Sequence, residues 1–271
     1  MPDDGRAADR GFLGLAVDDR GVGAVEVTYK LMSPRGSFYG GAGLAIACAM
    51  MEHATARSTV WCTVQFVSGA EHGDRLEFRT DVVAHGHRTS QVRVTGTVDG
   101  RELLTAVGAT GAAGDRITQT FAAMPPVSPV DECAPVPWSF ASEASDASTT
   151  HFGVTEIREA LVHAGTEGSA TPSMALWARL DGAPAWSPAL LSYVADIVPM
   201  SIHRALGTRR PGGMSLDNSI RVGPPVDTEW VLMALHPEAA RDGYGHGTVH
   251  LWSPDGALLG TASQTFALRS S

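Results

Sequence analysis

The hydrophobic pattern of the chain changes period twice, in the same order each time. Residues 44–53 (LAIACAMMEH), entered through the glycine-rich 36–43 (GSFYGGAG), are built from good helix formers. From Thr59 to Ala109 the period drops to two. Strands are predicted at 63–67, 75–83, 90–98 and 102–109, with turns at Gly73-Asp74, His85-Gly86 and Asp99-Gly100. Further on, strands at 152–159 and 173–179 precede a second helix at 187–204. Strands at 218–222, 229–235, 245–252 and 258–268 follow it. Ahead of the first helix, Val22, Ala24, Val25 and Val27 alternate within 12–31 as an edge hairpin, and residues 1–10 are polar and expected to be loose.

The second helix, SPALLSYVADIVPMSIHR, starts at Ser187 with Pro188 at its first position, where a missing N–H costs nothing. Its body is apolar on nearly every side, the pattern of a helix wrapped by other structure. One acid, Asp196, stands in the middle of that run. A buried carboxylate needs donors or a chemical role, and Asp196 is the first candidate for a role.

The halves share more than an order of elements. Asp99-Gly100-x2-Leu103-x-Thr105-Ala106 returns as Asp255-Gly256-x2-Leu259-x-Thr261-Ala262, an offset of 156 residues. Two helices, each followed by an antiparallel sheet, imply an α+β layer architecture. It comprises an N-terminal half at 1–112, a Pro-rich crossing segment at 113–150 (Pro125, Pro126, Pro129, Pro135, Pro137) and a C-terminal half at 151–271. The offset pairs Gly40 with Asp196, Thr59 with Ser215, and Gly108 with Gln264. Polar groups at these positions in one copy alone point to a single site per chain, carried by the second half.

Asp196, Ser215 and Gln264 together suit the handling of a water: the carboxylate accepts a proton while hydroxyl and carboxamide hold the water. Gly40 and Gly41, at a helix start, offer backbone amides to a developing oxyanion. Singly, Ser215 reads better as a strand-start residue and Gln264 as a solvent-facing one; Asp196 does not lend itself to such a reading. No dinucleotide fingerprint and no metal-ligand spacing is present. His246 and His250 are four apart on a predicted strand without an acidic partner, so no metal or cofactor is expected. Ser215 lies in GMSLD, which is not a nucleophile elbow. Arg204, Arg209 and Arg210 read as a solvated cluster, and Trp177, Trp186 and Trp230 as core or pocket wall.

Composition narrows the partners. Lys and Arg number 20 against 29 Asp and Glu, a net charge of −9, which argues against nucleic acid or anionic membrane. Three scattered cysteines (Cys48, Cys62, Cys133) fit a reducing compartment, and no stretch has the length to span a bilayer, so a cytoplasmic protein is expected.

Three stretches, LLSYVADIVPM, MSLDNSIRVGPPVDTEWVLM and DGALLGTASQTFALR, resemble the double-hotdog acyl-CoA thioesterases of bacterial type II (TesB-like). The resemblance covers the second half well and the first in outline, including the opening Tyr39-Gly40-Gly41. It implies a double hotdog, two tandem helix-plus-sheet repeats forming one continuous curved sheet. It also implies hydrolysis of an acyl-CoA to fatty acid and CoA, and a homo-oligomer, dimer or higher. The family's water-activating Asp falls on Asp196, its hydroxyl on Ser215, its Gln on Gln264, and its carbonyl-binding amide on Gly41. The family's His after the strand Asp is Asn218 here, and the Glu after its Gln is Thr265. The rival expectation is a double-hotdog protein that binds acyl chains or acyl thioesters without hydrolysing them. A hydratase lacks its D-x-N-P-x-H string, and an α/β-hydrolase lacks its elbow.

Overall fold

The computed structural model describes residues 3–112, 114, 117–136, 150–163, 173–183, 185–207, 213–223 and 227–268. Helix α1 (Asp3–Leu13) opens the chain where a loose segment was expected. Tertiary packing overrides its polar sequence: Leu13 is fully buried, and the Phe12 ring meets Tyr193 edge-on at 5.5 Å. A short hairpin, β1 (Ala16–Val17) and β2 (Gly23–Glu26), follows as predicted. Helix α2 (Gly40–Thr55) is buried along nearly its whole length, which explains its lack of a polar face. Strands β3 (Ser58–Phe66), β4 (Arg75–His85), β5 (Thr89–Val98) and β6 (Arg101–Gly111) complete the first half.

In the second half, β7 (Thr155–Ala160) and β8 (Met174–Leu180) lead to the predicted long helix. It is two helices, α3 (Pro188–Val194) and α4 (Val198–Ala205). Ser187 caps α3 as expected, accepting from Leu190 N at 3.1 Å. Pro199, in the first turn of α4, has no N–H for the carbonyl one turn earlier, so the hydrogen-bond ladder of α3 cannot run on through it. Strands β9 (Gly213–Val222), β10 (Val231–Arg241), β11 (Tyr244–Trp252) and β12 (Leu258–Leu268) close the described chain.

The twelve strands of the described residues form one antiparallel sheet, ordered β1-β2-β4-β5-β6-β3-β9-β12-β11-β10-β8-β7. The halves meet at β3 and β9, where Thr63 pairs with Ser219 and their hydroxyls lie 2.8 Å apart. Those two residues are 156 positions apart, so the offset read from the sequence places a pseudo-two-fold axis through this pair. The fold is α+β, a double hotdog with both helical layers on the inner face.

The crossing segment has a structural task. Its described part packs Met124, Val127 and Val130 on the outer face of the second half, over Trp177, Trp230, Leu232 and Trp252. Trp177 Nε1 donates to Ser128 O at 2.9 Å. Trp186, by contrast, belongs to the inner core. Pro137 and the polar stretch SEASDAS at 142–148, also expected to belong to this segment, lie outside the described residues.

Candidate active site

Asp196 sits in the break between α3 and α4, rather than within a continuous helix, and is partly exposed. Two tyrosines fix that break. Tyr39, preceding α2, donates its hydroxyl to Tyr193 O at 2.7 Å, and the Tyr193 hydroxyl donates in turn to Lys30 O. His151 stacks on Tyr39 at 3.8 Å and is held neutral, its pKa lowered to about 4 by burial; its Nδ1 lies 3.1 Å from Met32 O. Tyr39 and Tyr193 stood within the quoted motifs without a role, and nothing in the pattern singled out His151.

Ser215 reaches the site through a β-bulge. On β9 the register against β12 slips between Thr265 and Phe266, so Phe266 faces Ser215 and the extra residue, Leu216, turns outward. Without the bulge, strict alternation from the inward-facing Asn218 would turn Leu216 inward and Ser215 away from the core. Gln264, 2% exposed, faces inward from β12 opposite Asn218, which is fully buried.

The five predicted site residues come together. Gly41 N donates to Asp196 Oδ2 at 2.9 Å, Gln264 Nε2 donates to Asp196 Oδ1, and Ser215 Oγ lies 3.5 Å from the same oxygen. Gln264 Nε2 is also 2.7 Å from Ser215 Oγ. Gly41, expected to meet a thioester carbonyl, thus directs its amide at the carboxylate instead. A β-carbon on Gly40 would lie 2.5 Å from Asp196 Oδ2 and 2.9 Å from the Phe66 ring, so only glycine lets the acid pack there. Burial raises the Asp196 pKa; the hydrogen bonds from Gln264, Gly41 and Ser215 and the charge of Arg35 oppose that only in part. The product is a carboxylate with raised basicity and pinned oxygens.

Other candidates lie elsewhere. Arg204 pairs with Glu159, and Arg209 and Arg210 are outside the described residues. Two surface cavities, of about 430 Å³ beside Arg179 and Trp186 and about 310 Å³ beside Tyr29 and His72, are not lined by the trio. Among the described residues no helix is long and apolar enough to cross a membrane.

The family model of the acyl-CoA thioesterase C-terminal domain matches residues 130–268, and that of the N-terminal domain matches residues 30–112. The chain belongs to the acyl-CoA thioesterase family and is a thioesterase. A candidate thioesterase of Novosphingobium aromaticivorans is similar at 29% identity and a TM-score of 0.82, over 94% of this chain and 98% of its own. Two further structures share the fold. One is a hot-dog-fold protein of unknown function from Alicyclobacillus acidocaldarius, with TM-score 0.77, 18% identity, and 97% and 98% of the two chains covered. The other is the acyl-CoA thioesterase II TesB2 of Mycobacterium marinum, with TM-score 0.76, 14% identity, and 97% and 98% covered. No curated protein matches the sequence.

Proposed function

We propose that the protein hydrolyses an acyl-CoA thioester to a free fatty acid and CoA, with water activated by Asp196. The supporting observation is the single hydrogen-bonded cluster of Asp196, Ser215 and Gln264, contributed by three separate elements and set against the start of α2. Ser215, itself held by the Gln264 NH₂, positions the water, and Asp196 takes its proton as the oxygen attacks the carbonyl carbon. The amide of Gly40 and the positive end of α2 meet the oxyanion, while the Gly41 amide steadies Asp196. Collapse of the tetrahedral intermediate breaks the C–S bond, and the proton passes to the departing CoA sulfur.

The test is thiol release from acyl-CoAs of graded chain length, read with a thiol-reactive dye. Hydrolysis of at least one length is expected; binding without release across the panel would favour an acyl-thioester-binding protein instead. A cytoplasmic location accords with three free, buried cysteines, and a homo-oligomer with exposed Val60, Val107, Met214 and Leu216 along the strands around the pseudo-two-fold axis. Sedimentation of the purified protein checks the second of these.

A further inference from the structure

Beside the trio lies a second polar group that the water-activating scheme does not use. Asn218 is 0% exposed, and neither its Oδ1 nor its Nδ2 has a partner among the described residues. Gln264 Oε1 is likewise buried and without a partner among the described residues. The two carboxamides are direct cross-strand partners on the inner face of β9 and β12, where β-carbons of opposed residues stand about 5 Å apart. The orientation of Gln264 is not open to choice. Its NH₂ must face Asp196 Oδ1 and Ser215 Oγ, so its oxygen faces away from them. Leaving two acceptors and an amide donor buried together would cost several hydrogen bonds, and a water, which donates twice and accepts, matches that set.

We infer that Asn218 and Gln264 Oε1 enclose a buried water site, and that Asn218 is thereby a positioning residue for the reaction. The bridge fastens the far end of the Gln264 carboxamide, and that fastening keeps its NH₂ aimed at Asp196 and Ser215. Asn218 touches neither substrate nor the attacking water; it acts through Gln264. Val64 is its partner on the opposite strand, so no other polar side chain comes from β3 at that register to take its place. The inference rests on the proposed role of the trio for its effect on rate, but the water site itself does not.

Two measurements decide it. A crystal structure at about 1.5 Å is expected to show an ordered water within about 2.7–3.2 Å of both Gln264 Oε1 and the Asn218 carboxamide. A dry contact, or a direct Asn218–Gln264 hydrogen bond, would overturn the water site. In kinetics, Asn218→Leu, close in size but without polar atoms, is expected to lower kcat about tenfold, the scale of one lost hydrogen bond. KM should stay unchanged, and the acidic limb of the pH–rate profile should move up, because Asp196 loses a well-aimed donor. In a Gln264→Leu background the same change should cost nothing further. Losses that multiply would show that Asn218 acts independently of Gln264 and overturn the positioning role. Should the leucine variant fail to fold, Asn218→Ala and Asn218→Ser carry the same cycle, with serine recovering part of the rate through its hydroxyl. A fully active Asp196→Asn would instead sink the catalytic reading while leaving the water site standing.

Discussion

The two halves place equivalent elements over equivalent strands and fill the space between them differently. In the first half, the same bulge recurs at Val60, turning Thr59 inward as its counterpart turns Ser215. There the resemblance stops. Helix α2 runs sixteen residues, and its last turn brings Met51 and Glu52 down onto the sheet. Glu52 Oε1 accepts from Thr59 N at 2.7 Å, and a β-carbon at Gly108 would lie 2.8 Å from Met51 Sδ and 2.5 Å from Trp61 O. Helix α4 ends at Ala205, and the position matching Met51 is Gly207. One half has packed its would-be site shut; the other keeps a carboxylate, a hydroxyl and a carboxamide there.

The strongest way to break this contrast is to give the first half the acid of the second. Gly40→Asp would drive a side chain into Asp196 and Phe66, and Gly40→Ala into the same atoms. Displacement of the carboxylate by about 1 Å should cost on the order of 10²-fold in kcat, even for alanine. Steady-state thiol release together with a thermal melt separates that loss from unfolding.

Next in size is Gln264→Leu, which removes the donor shared by Asp196 and Ser215; a loss approaching 10²-fold is expected. Ser215→Ala, whose oxygen stands 3.5 Å from the carboxylate, should cost closer to tenfold. Thr59→Ala is the matched control and should leave kcat within about twofold, because its hydroxyl faces a packed region. Equal losses at Ser215 and Thr59 would erase the proposed asymmetry.

Much of this was legible in the sequence, and particular residues show why the rest was not. The repeat was visible because each of its Asp-Gly turns puts the glycine in the left-handed region: Gly100 has φ 76° and Gly256 φ 88°. Strand pairing then followed from alternation, and the offset carried through to the Thr63–Ser219 register. The helix break was masked by an apolar run so uniform that Pro199 was absorbed into it. Helix α1 was missed because its stability comes from tertiary contacts made by Phe12 and Leu13 at its end. The bulges adding Val60 and Leu216 leave no mark in composition, since one apolar residue turned outward looks like any other. His151 was beyond reach for a different reason: stacking across the crossing segment is a long-range contact with no local pattern.

Two smaller effects sharpen the comparison through pH. Asp196 must be ionised to accept a proton, and burial raises its pKa, so kcat/KM should fall as pH drops through a midpoint above the ordinary aspartate range. The first half titrates in stability rather than rate. Burial of Asp9 on α1 pushes its pKa up to about 7, so the folded chain holds a proton that the unfolded chain has released. That contribution is complete at low pH and is lost as pH rises through about 7. Asp9→Asn should therefore flatten the decline of the melting temperature between about pH 4 and that value, with no change in kcat.

The central claim is that one acid makes one half catalytic, and Asp196→Asn tests it most directly. The substitution keeps size and shape while removing the proton acceptor. Measured by thiol release on the best acyl-CoA of the panel, kcat should fall on the order of 10²–10⁴-fold with the melting temperature preserved. Turnover at the unsubstituted rate would mean that the base lies elsewhere, and that the difference between the halves is one of packing alone.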